Sequence, residues 1–336
     1  LSKLNQDYML IDNHGREINY LRLAVTDRCN LRCFYCMPEN GIKYMNRKDL
    51  LSFEEMTRLI RVFGDLGVSK IRITGGEPFV RKGIMSFLKG ISELETIKEI
   101  NITTNGTFTV EQIPALEKMG IKSVNLSLDS LDSQRFFDIT RRDLFDQLMT
   151  TYRKLVDSKI RVKTNMVVMD GRNIEDIYPM LELTKYDDVS VRFIEEMPFN
   201  GTEGQGNATI WPAKKIMTYI EEKYTHQKMV DPPASTSLNY KIPGYVGSFG
   251  IIPAYTRTFC GSCNRIRLTP QGTLRTCLYG EGQVNFRDLI RGGVTDEVLG
   301  DHLIKVVGKR AKDGFEAEKS RSATVPVSES MATIGG

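Results

Sequence analysis

Three cysteines stand at the spacing C-x₃-C-x₂-C in the stretch Cys29-Asn30-Leu31-Arg32-Cys33-Phe34-Tyr35-Cys36. The apolar alternating run 20–26 precedes them, so three thiolates gather on a loop at the end of an expected strand. A closed structural zinc site takes four ligands and iron–sulfur clusters are held by four cysteines, so a set of three leaves one metal able to take a substrate. Zinc completed by a distant residue and ordinary thiols are the competing readings of this spacing. The remaining cysteines are Cys260, Cys263 and Cys277, a C-x₂-C half-site facing a third thiol across an expected hairpin. With His14, His226 and His302 the only histidines, this set is either a second open site or a zinc closed by one of them. Arg265 and Arg267 alternate with Ile266 directly after it, so both guanidinium groups leave one strand face beside the thiols. Surface charge on an edge strand is the alternative.

The elements that must position these groups alternate between strand and helix. Strands are expected at 20–26, Lys70–Thr74, 99–103, 123–128, Arg161–Val168 and 189–194, with helices near 84–93, 111–119, 132–138, 144–157 and 174–186. Ser52 and Glu55 form a capping box that opens a helix with Met56, Leu59, Ile60, Phe63 and Leu66 at helical spacing, and Gly67 stops it. After the second strand, Gly75-Gly76-Glu77-Pro78 has glycines that allow close backbone approach to a ligand. Six strands alternating with helices predict an α/β fold, a partial (β/α)6 TIM-type barrel in preference to a flat doubly wound sheet.

Strands of a parallel sheet covered on both faces read as nearly continuous apolar runs. Here one parity of each strand is polar: Arg22 and Thr26; Lys70, Arg72 and Thr74; Asn101, Thr103 and Asn105; Ser123, Asn125 and Ser127; Arg161, Lys163 and Asn165; Ser190 and Arg192. The covering helices require the apolar parity, so the polar one points inward, and a lumen so lined is unfavourable unless something polar fills it. The cations Arg22, Lys70, Arg72, Arg161, Lys163 and Arg192 suit an anionic, phosphorylated ligand. Pairing with acids near the strand ends is the alternative for some of them.

Beyond 198 the texture changes. Gly-rich 200–207 and Pro-rich 231–237 are loops around a helix at 212–223, and short strands are expected at 245–252, 264–269 and 273–277 before a helix at 295–307. This divides the chain into a barrel at 1–198, an α+β extension at 199–308 and a tail at 309–336 that is rich in charge, Ser and Ala but ends in Ile334-Gly335-Gly336. The basic run 305–312 reads as a solvated face. The 336 residues are 40% hydrophobic and 26% charged with net charge +4, too mild a balance for a nucleic-acid-binding surface. No run reaches the roughly 20 apolar residues of a membrane span, and residues 1–7 lack a signal-peptide core, so a cytoplasmic protein is expected. The first residue is Leu, and an N-terminal residue or segment is expected to precede it.

The Cys29, Cys33, Tyr35 and Cys36 block followed by Gly75-Gly76-Glu77-Pro78 resembles the radical S-adenosylmethionine (SAM) enzymes. Further blocks are similar to one family among them, the GTP 3′,8-cyclases of molybdenum cofactor biosynthesis: Leu21-Arg22-Leu23, Thr26-Asp27-Arg28-Cys29-Asn30, Arg72-Ile73-Thr74, Thr103-Thr104-Asn105-Gly106, Ser127-Leu128-Asp129-Ser130, Val191-Arg192-Phe193-Ile194-Glu195 with Met197, 260–267 and the Gly-Gly end. The resemblance implies a lyase with a [4Fe–4S] cluster on each cysteine set. One electron cleaves SAM, and the 5′-deoxyadenosyl radical takes a hydrogen from ribose C3′ of GTP, which then closes onto C8 to give 3′,8-cyclo-7,8-dihydro-GTP. It implies SAM contacts at Tyr35, Gly76, Ser127 and Met197, and GTP contacts at Arg22, Arg72, Thr103, Lys163, Arg265, Ile266 and Arg267. Catalytic roles fall to Arg192, Gly335 and Gly336. A reducing protein such as a flavodoxin-type electron donor, product transfer to a cyclic pyranopterin monophosphate synthase, and a monomer or homodimer with no membrane or nucleic-acid partner complete the expectation. Glu196 departs from the pattern by adding a carboxylate beside Met197. Two rival readings are a peptide-modifying radical SAM enzyme with an auxiliary cluster, and a zinc-stabilised nucleic-acid-binding module.

Overall fold

The computed structural model of the protein describes residues 9–37, 41–197, 211–321 and 330–334. The first half runs β1 (Tyr20–Ala24), α1 (Phe53–Asp65), β2 (Lys70–Thr74), α2 (Ile84–Ser92), β3 (Glu99–Thr104), α3 (Ile113–Lys118), β4 (Ser123–Ser127), α4 (Ser133–Thr140), α5 (Phe145–Val156), β5 (Arg161–Val168), α6 (Ile177–Tyr186) and β6 (Val189–Glu195). Strands β1 to β6 pair side by side, all parallel, as the wall of a partial barrel. Helix α1 begins at the predicted capping box: Ser52 Oγ accepts from the Glu55 amide, and Glu55 accepts from the Ser52 amide.

The second half adds α7 (Ala213–Glu221), β7 (Gln227–Lys228), β8 (Leu238–Lys241), β9 (Ser248–Ile252), β10 (Arg265–Leu268), β11 (Thr273–Arg275), β12 (Val284–Asn285), α8 (Phe286–Arg291), α9 (Asp296–Val307), α10 (Gly314–Lys319) and α11 (Met331–Ile334). Among the described residues its strands build no sheet of their own. Strand β10 pairs parallel with β1 and β9 pairs parallel with β6, so the extension lengthens both edges of the barrel wall into one sheet of 12 strands. Unpaired backbone at either edge of the partial barrel is thereby satisfied.

The alternating pattern sorts as its chemistry requires. Leu21, Leu23, Ile71, Ile73, Ile100, Ile102, Val124, Leu126, Val162, Met166, Val191 and Phe193 are buried in one core with Leu59, Phe63, Leu88, Leu116, Leu148, Leu155 and Leu181 from the covering helices. The segment from 309 is folded where it is described: α10 packs beside the second cysteine set and α11 beside the first. One expectation needs correction. The run 305–312 is not wholly a solvated face, because Arg310 is buried.

Candidate active site

The polar strand faces enclose a cavity of about 500 Å³ whose lining includes all six cysteines. Cys29, Cys33 and Cys36 follow the C-terminal end of β1, whereas Cys263 precedes the N-terminal end of β10, which runs parallel to β1. Strand β11 returns antiparallel, so Cys277 comes back to the end where Cys263 lies. The two thiol sets therefore cap opposite ends of one lumen. None of the histidines is in the described lining: His14 Nε2 lies 2.9 Å from the Arg310 carbonyl, and His226 pairs with Glu221.

Between the caps lie the cations. Arg72, Arg22 and Arg267 are in register across β2, β1 and β10 and face the same way. Lys163, Arg192, Arg265 and Thr103 line the same cavity. Burial and the charge of Arg267 push Arg22 well below the ordinary arginine range. Burial, then Arg265, lowers Arg267 to about 10, and burial, then Arg72, lowers Arg192 to about 10. Lys163 is pushed down to about 7 by burial and by Arg192 and Arg72. Arg192 Nε, Arg265 Nη2, Thr103 Oγ1, Asn125 Oδ1 and Asn165 Oδ1 are buried with no hydrogen-bond partner among the described residues. Buried groups left so are strongly unfavourable without a ligand; the two guanidinium N–H donors and their positive charge call for an anion, and the amide oxygens of Asn125 and Asn165 for donors on the same polar ligand.

Two predicted positions fall elsewhere. The Ile266 side chain has the opposite parity and lies in the core against Leu21, so it turns away from the cavity. Arg161 is the first residue of β5 and is exposed, its guanidinium 3.9 Å from Glu99; Glu99 also holds Lys70 at 2.9 Å. Strand-end pairing with an acid thus accounts for Arg161.

The first thiol loop is seated on the glycine pair. A Cβ on Gly75, whose φ is +134°, would collide with the Thr26 carbonyl, and one on Gly76 with that of Arg28. The amides of Gly76 and Glu77 donate to those carbonyls at 2.8 Å each. The glycines thus admit the cysteine loop's own backbone, a different close approach from the ligand contact the sequence predicts, although both still line the cavity. Burial pushes the Cys29 thiol up to about 12, with Glu77 adding to the effect, and raises Cys33 and Cys36 as well. The buried Glu77 carboxylate accepts from the Asn105 amide (2.7 Å), the Phe79 amide (3.1 Å) and Thr104 Oγ1 (2.8 Å), and burial lifts it to about 7. Tyr35 donates to Asp129 at 2.7 Å, and burial lifts Asp129 to about 6. Gly76, Ser127 and Met197 line this end, as does Glu196, whose carboxyl is raised by burial.

At the second set the surroundings of Cys263 are cationic, whereas Cys260 is pushed up by burial and has Asp313 nearby. Burial pushes Cys263 up, but Arg265 and Arg310 outweigh it and hold the thiol at about 6. Among the described residues no three His, Cys, Asp or Glu side chains converge to share one metal ion. A cubane cluster takes one thiolate per iron, so three grouped thiols fit its donor needs. Tail residues close the wall. Ser330 Oγ donates to the Cys36 carbonyl at 2.8 Å, Met331 and Ala332 line the cavity, and Ile334 packs with Tyr279 and Cys277. Gly335 and Gly336 lie outside the described residues.

The sequence reading did not assign Glu77, Asp129, Tyr20, Arg257, Arg310 or Ser330 to the site. Glu77 and Asp129 follow strand ends within the quoted motifs, and Tyr20 shares the parity of Arg22, so all three carried a signal. Tyr20 accepts from Arg72 Nε at 2.6 Å. Arg257 stacks 3.5 Å from the Tyr279 ring centroid and pairs with Glu318 at 2.8 Å, across 61 residues with no shared motif.

A half-barrel of parallel strands with a three-cysteine loop beyond its first strand defines the radical SAM class, and the family model described as the Radical SAM superfamily matches residues 23–184. A second model, Molybdenum Cofactor Synthesis C, matches residues 189–315. The chain belongs to the radical SAM superfamily and, within it, to the family of the GTP 3′,8-cyclases. It is 40% identical over 341 residues to "GTP 3',8-cyclase, mitochondrial" of Arabidopsis thaliana, covering 98% of this chain and 84% of that protein. It is 39% identical over 301 residues to "Molybdenum cofactor biosynthesis protein moc-5" of Caenorhabditis elegans, over 89% of this chain but only 50% of that protein. The chain thus spans about half the length of some of the curated relatives it matches. In fold it is similar to the crystal structure of Streptococcus suis SuiB bound to precursor peptide SuiA, with TM-score 0.60 and 15% identity over 96% of this chain and 71% of that one. Superfamily membership brings SAM and an iron–sulfur cluster as cofactors, and the donor set of Cys29, Cys33 and Cys36 fits that cluster. No helix among the described residues is long and apolar enough to cross a membrane.

Proposed function

We propose that the chain is a GTP 3′,8-cyclase, converting GTP to 3′,8-cyclo-7,8-dihydro-GTP, with Cys29, Cys33 and Cys36 holding one [4Fe–4S] cluster and Cys260, Cys263 and Cys277 a second. The observation that carries this reading is a single cavity with a thiol triad at each end and a band of buried cations between them. The first cluster and SAM, when bound, supply one electron and a 5′-deoxyadenosyl radical; ring closure then leaves an unpaired electron on the product, which a second electron from the reducing protein and one proton discharge. Binding and orientation fall to the chain.

At the first end Glu77 and Asp129 give an acidic surround that suits the cationic sulfonium and ammonium groups of SAM. Gly76, Ser127 and Met197 shape its seat, and Tyr35 is oriented by its bond to Asp129. Toward the second end Arg22, Arg72, Lys163, Arg265 and Arg267 neutralise the triphosphate, Arg192 offers an unpartnered Nε in the middle of the lumen, and Thr103 offers a hydroxyl. Ile266 can contribute only main chain. A buried, pre-formed site of this kind orients ribose and base and keeps water from a reactive intermediate. Gly335 and Gly336, which follow Ile334 in sequence, keep the catalytic role that the family resemblance implies. A one-electron reducing protein feeds the site and a cyclic pyranopterin monophosphate synthase takes the product.

The test is anaerobic. Reduced, reconstituted protein given SAM and GTP forms 5′-deoxyadenosine together with a cyclised GTP, and neither forms without GTP. Peptide-dependent SAM cleavage indifferent to GTP overturns the proposal.

A further inference from the structure

Arg310 lies in the run that reads as a solvated basic face, yet only 4% of it is exposed. Its guanidinium is directed at the second cysteine set. Nη2 donates to Cys263 Sγ (3.0 Å) and to the Arg265 carbonyl (3.0 Å), Nη1 to the Cys263 carbonyl (2.7 Å), and Nε to the carbonyl of Thr276 (3.1 Å), the neighbour of Cys277. One planar fork therefore ties the start of β10 to the end of β11, the two arms that carry Cys263 and Cys277. A lysine, with a single ammonium on a flexible stem, cannot hold both.

The fork is itself held from the N-terminal side. The wholly buried Asp12 carboxylate lies 3.5 Å from Arg310 Nη1 and 2.6 Å from Arg16 Nε. Arg16 in turn donates to the carbonyls of Cys260 (3.1 Å), Ala311 (2.9 Å) and Lys312 (2.6 Å). A purely architectural arginine is satisfied by carbonyl oxygens, so the additional N–H to the Cys263 sulfur points to a second task. Hydrogen bonds and positive charge at ligand sulfur favour the reduced, more negative state of an iron–sulfur centre.

We propose that Arg310, anchored by Asp12, is a positioning residue of the second cysteine set: it fixes the arms bearing Cys263 and Cys277 and raises the reduction potential of the cluster held there. This rests on the reading that the second set binds an iron–sulfur cluster.

The test is a redox titration of the reconstituted full chain followed by electron paramagnetic resonance (EPR), with the first cluster recognised as the signal that changes on adding SAM. In Arg310→Met the midpoint of the other signal falls, so that its reduced-to-oxidised ratio at the wild-type midpoint drops about tenfold, about 59 mV for one electron. The SAM-responsive midpoint stays where it was. An unchanged midpoint for the second signal overturns the inference and leaves the cluster reading standing. Should Arg310→Met take up only the SAM-responsive cluster, Arg310→Gln, which keeps amide donors and removes the charge, replaces it in the same titration: a lowered midpoint supports the role and an unchanged one overturns it. Wild-type protein that never shows a second cluster overturns the cluster reading, and the inference with it.

Discussion

The two cysteine sets have the same number of thiols and opposite surroundings. At Cys29, Cys33 and Cys36 burial pushes the thiols up, and the acids Glu77 and Asp129 add to it, although the Arg32 guanidinium also donates to the Cys29 carbonyl. Around Cys263 the neighbouring groups are Arg265 and Arg310, and the thiol is held down at about 6. Ligand count therefore does not decide what a site accepts; the charge behind the ligands does. An acidic surround favours a cationic co-substrate and a cationic one favours a phosphorylated substrate, so one lumen sorts two ligands to its two ends.

The largest effect breaks the comparison outright. Replacing Cys33 by Ala removes one ligand set, so anaerobic reconstitution yields roughly four irons per chain instead of roughly eight, and 5′-deoxyadenosine formation falls to background. Cys263→Ala gives the same loss of iron with SAM binding to the first end retained; loss of both clusters in either variant contradicts the independence of the sites.

Next comes the cationic end. Arg267→Ala weakens GTP binding roughly 10- to 100-fold, from about 1.5–3 kcal/mol for a charged hydrogen bond, with both clusters and SAM affinity unchanged by calorimetry. An unaltered GTP affinity removes Arg267 from the phosphate site.

A smaller effect follows from Lys163, whose pKa of about 7 in the ligand-free protein leaves it mostly neutral at pH 8. Phosphate favours its charged form, so binding takes up a proton above pH 7. GTP affinity therefore falls about fivefold between pH 7 and pH 8 through this group. Lys163→Met binds more weakly and loses that part of the slope, whereas SAM affinity keeps its own pH profile in both proteins. Equal slopes in wild type and variant contradict the assignment.

The smallest effect serves as the control. Ser52→Ala removes the capping box of α1 and lowers unfolding free energy by about 1 kcal/mol, with both EPR signals and both affinities intact.

Much of this arrangement was legible in the sequence because it follows from periodicity. Polar residues at alternate positions of six strands had to face a lumen once helices claimed Leu21, Ile73 or Phe193, and Arg22, Arg72, Lys163 and Arg192 line the cavity accordingly. The cysteine sets and Arg265 with Arg267 were legible from local spacing. What stayed hidden depends on contacts between distant segments. Arg310 resembles its solvated neighbours in sequence, and only the return of the chain past Asp12 and the second hairpin buries it. The glycines of 75–76 signalled a close approach without naming the partner, which is the cysteine loop backbone. Strand order at the edges was hidden for the same reason, since nothing local tells β10 to join β1 or β9 to join β6.

The division of one lumen between two ligands is tested most directly by EPR of the reduced protein titrated with SAM and, separately, with GTP. SAM alters only the signal that disappears in Cys33→Ala, and GTP alters only the signal that disappears in Cys263→Ala. A GTP-induced change confined to the first signal, with the second untouched, contradicts the account.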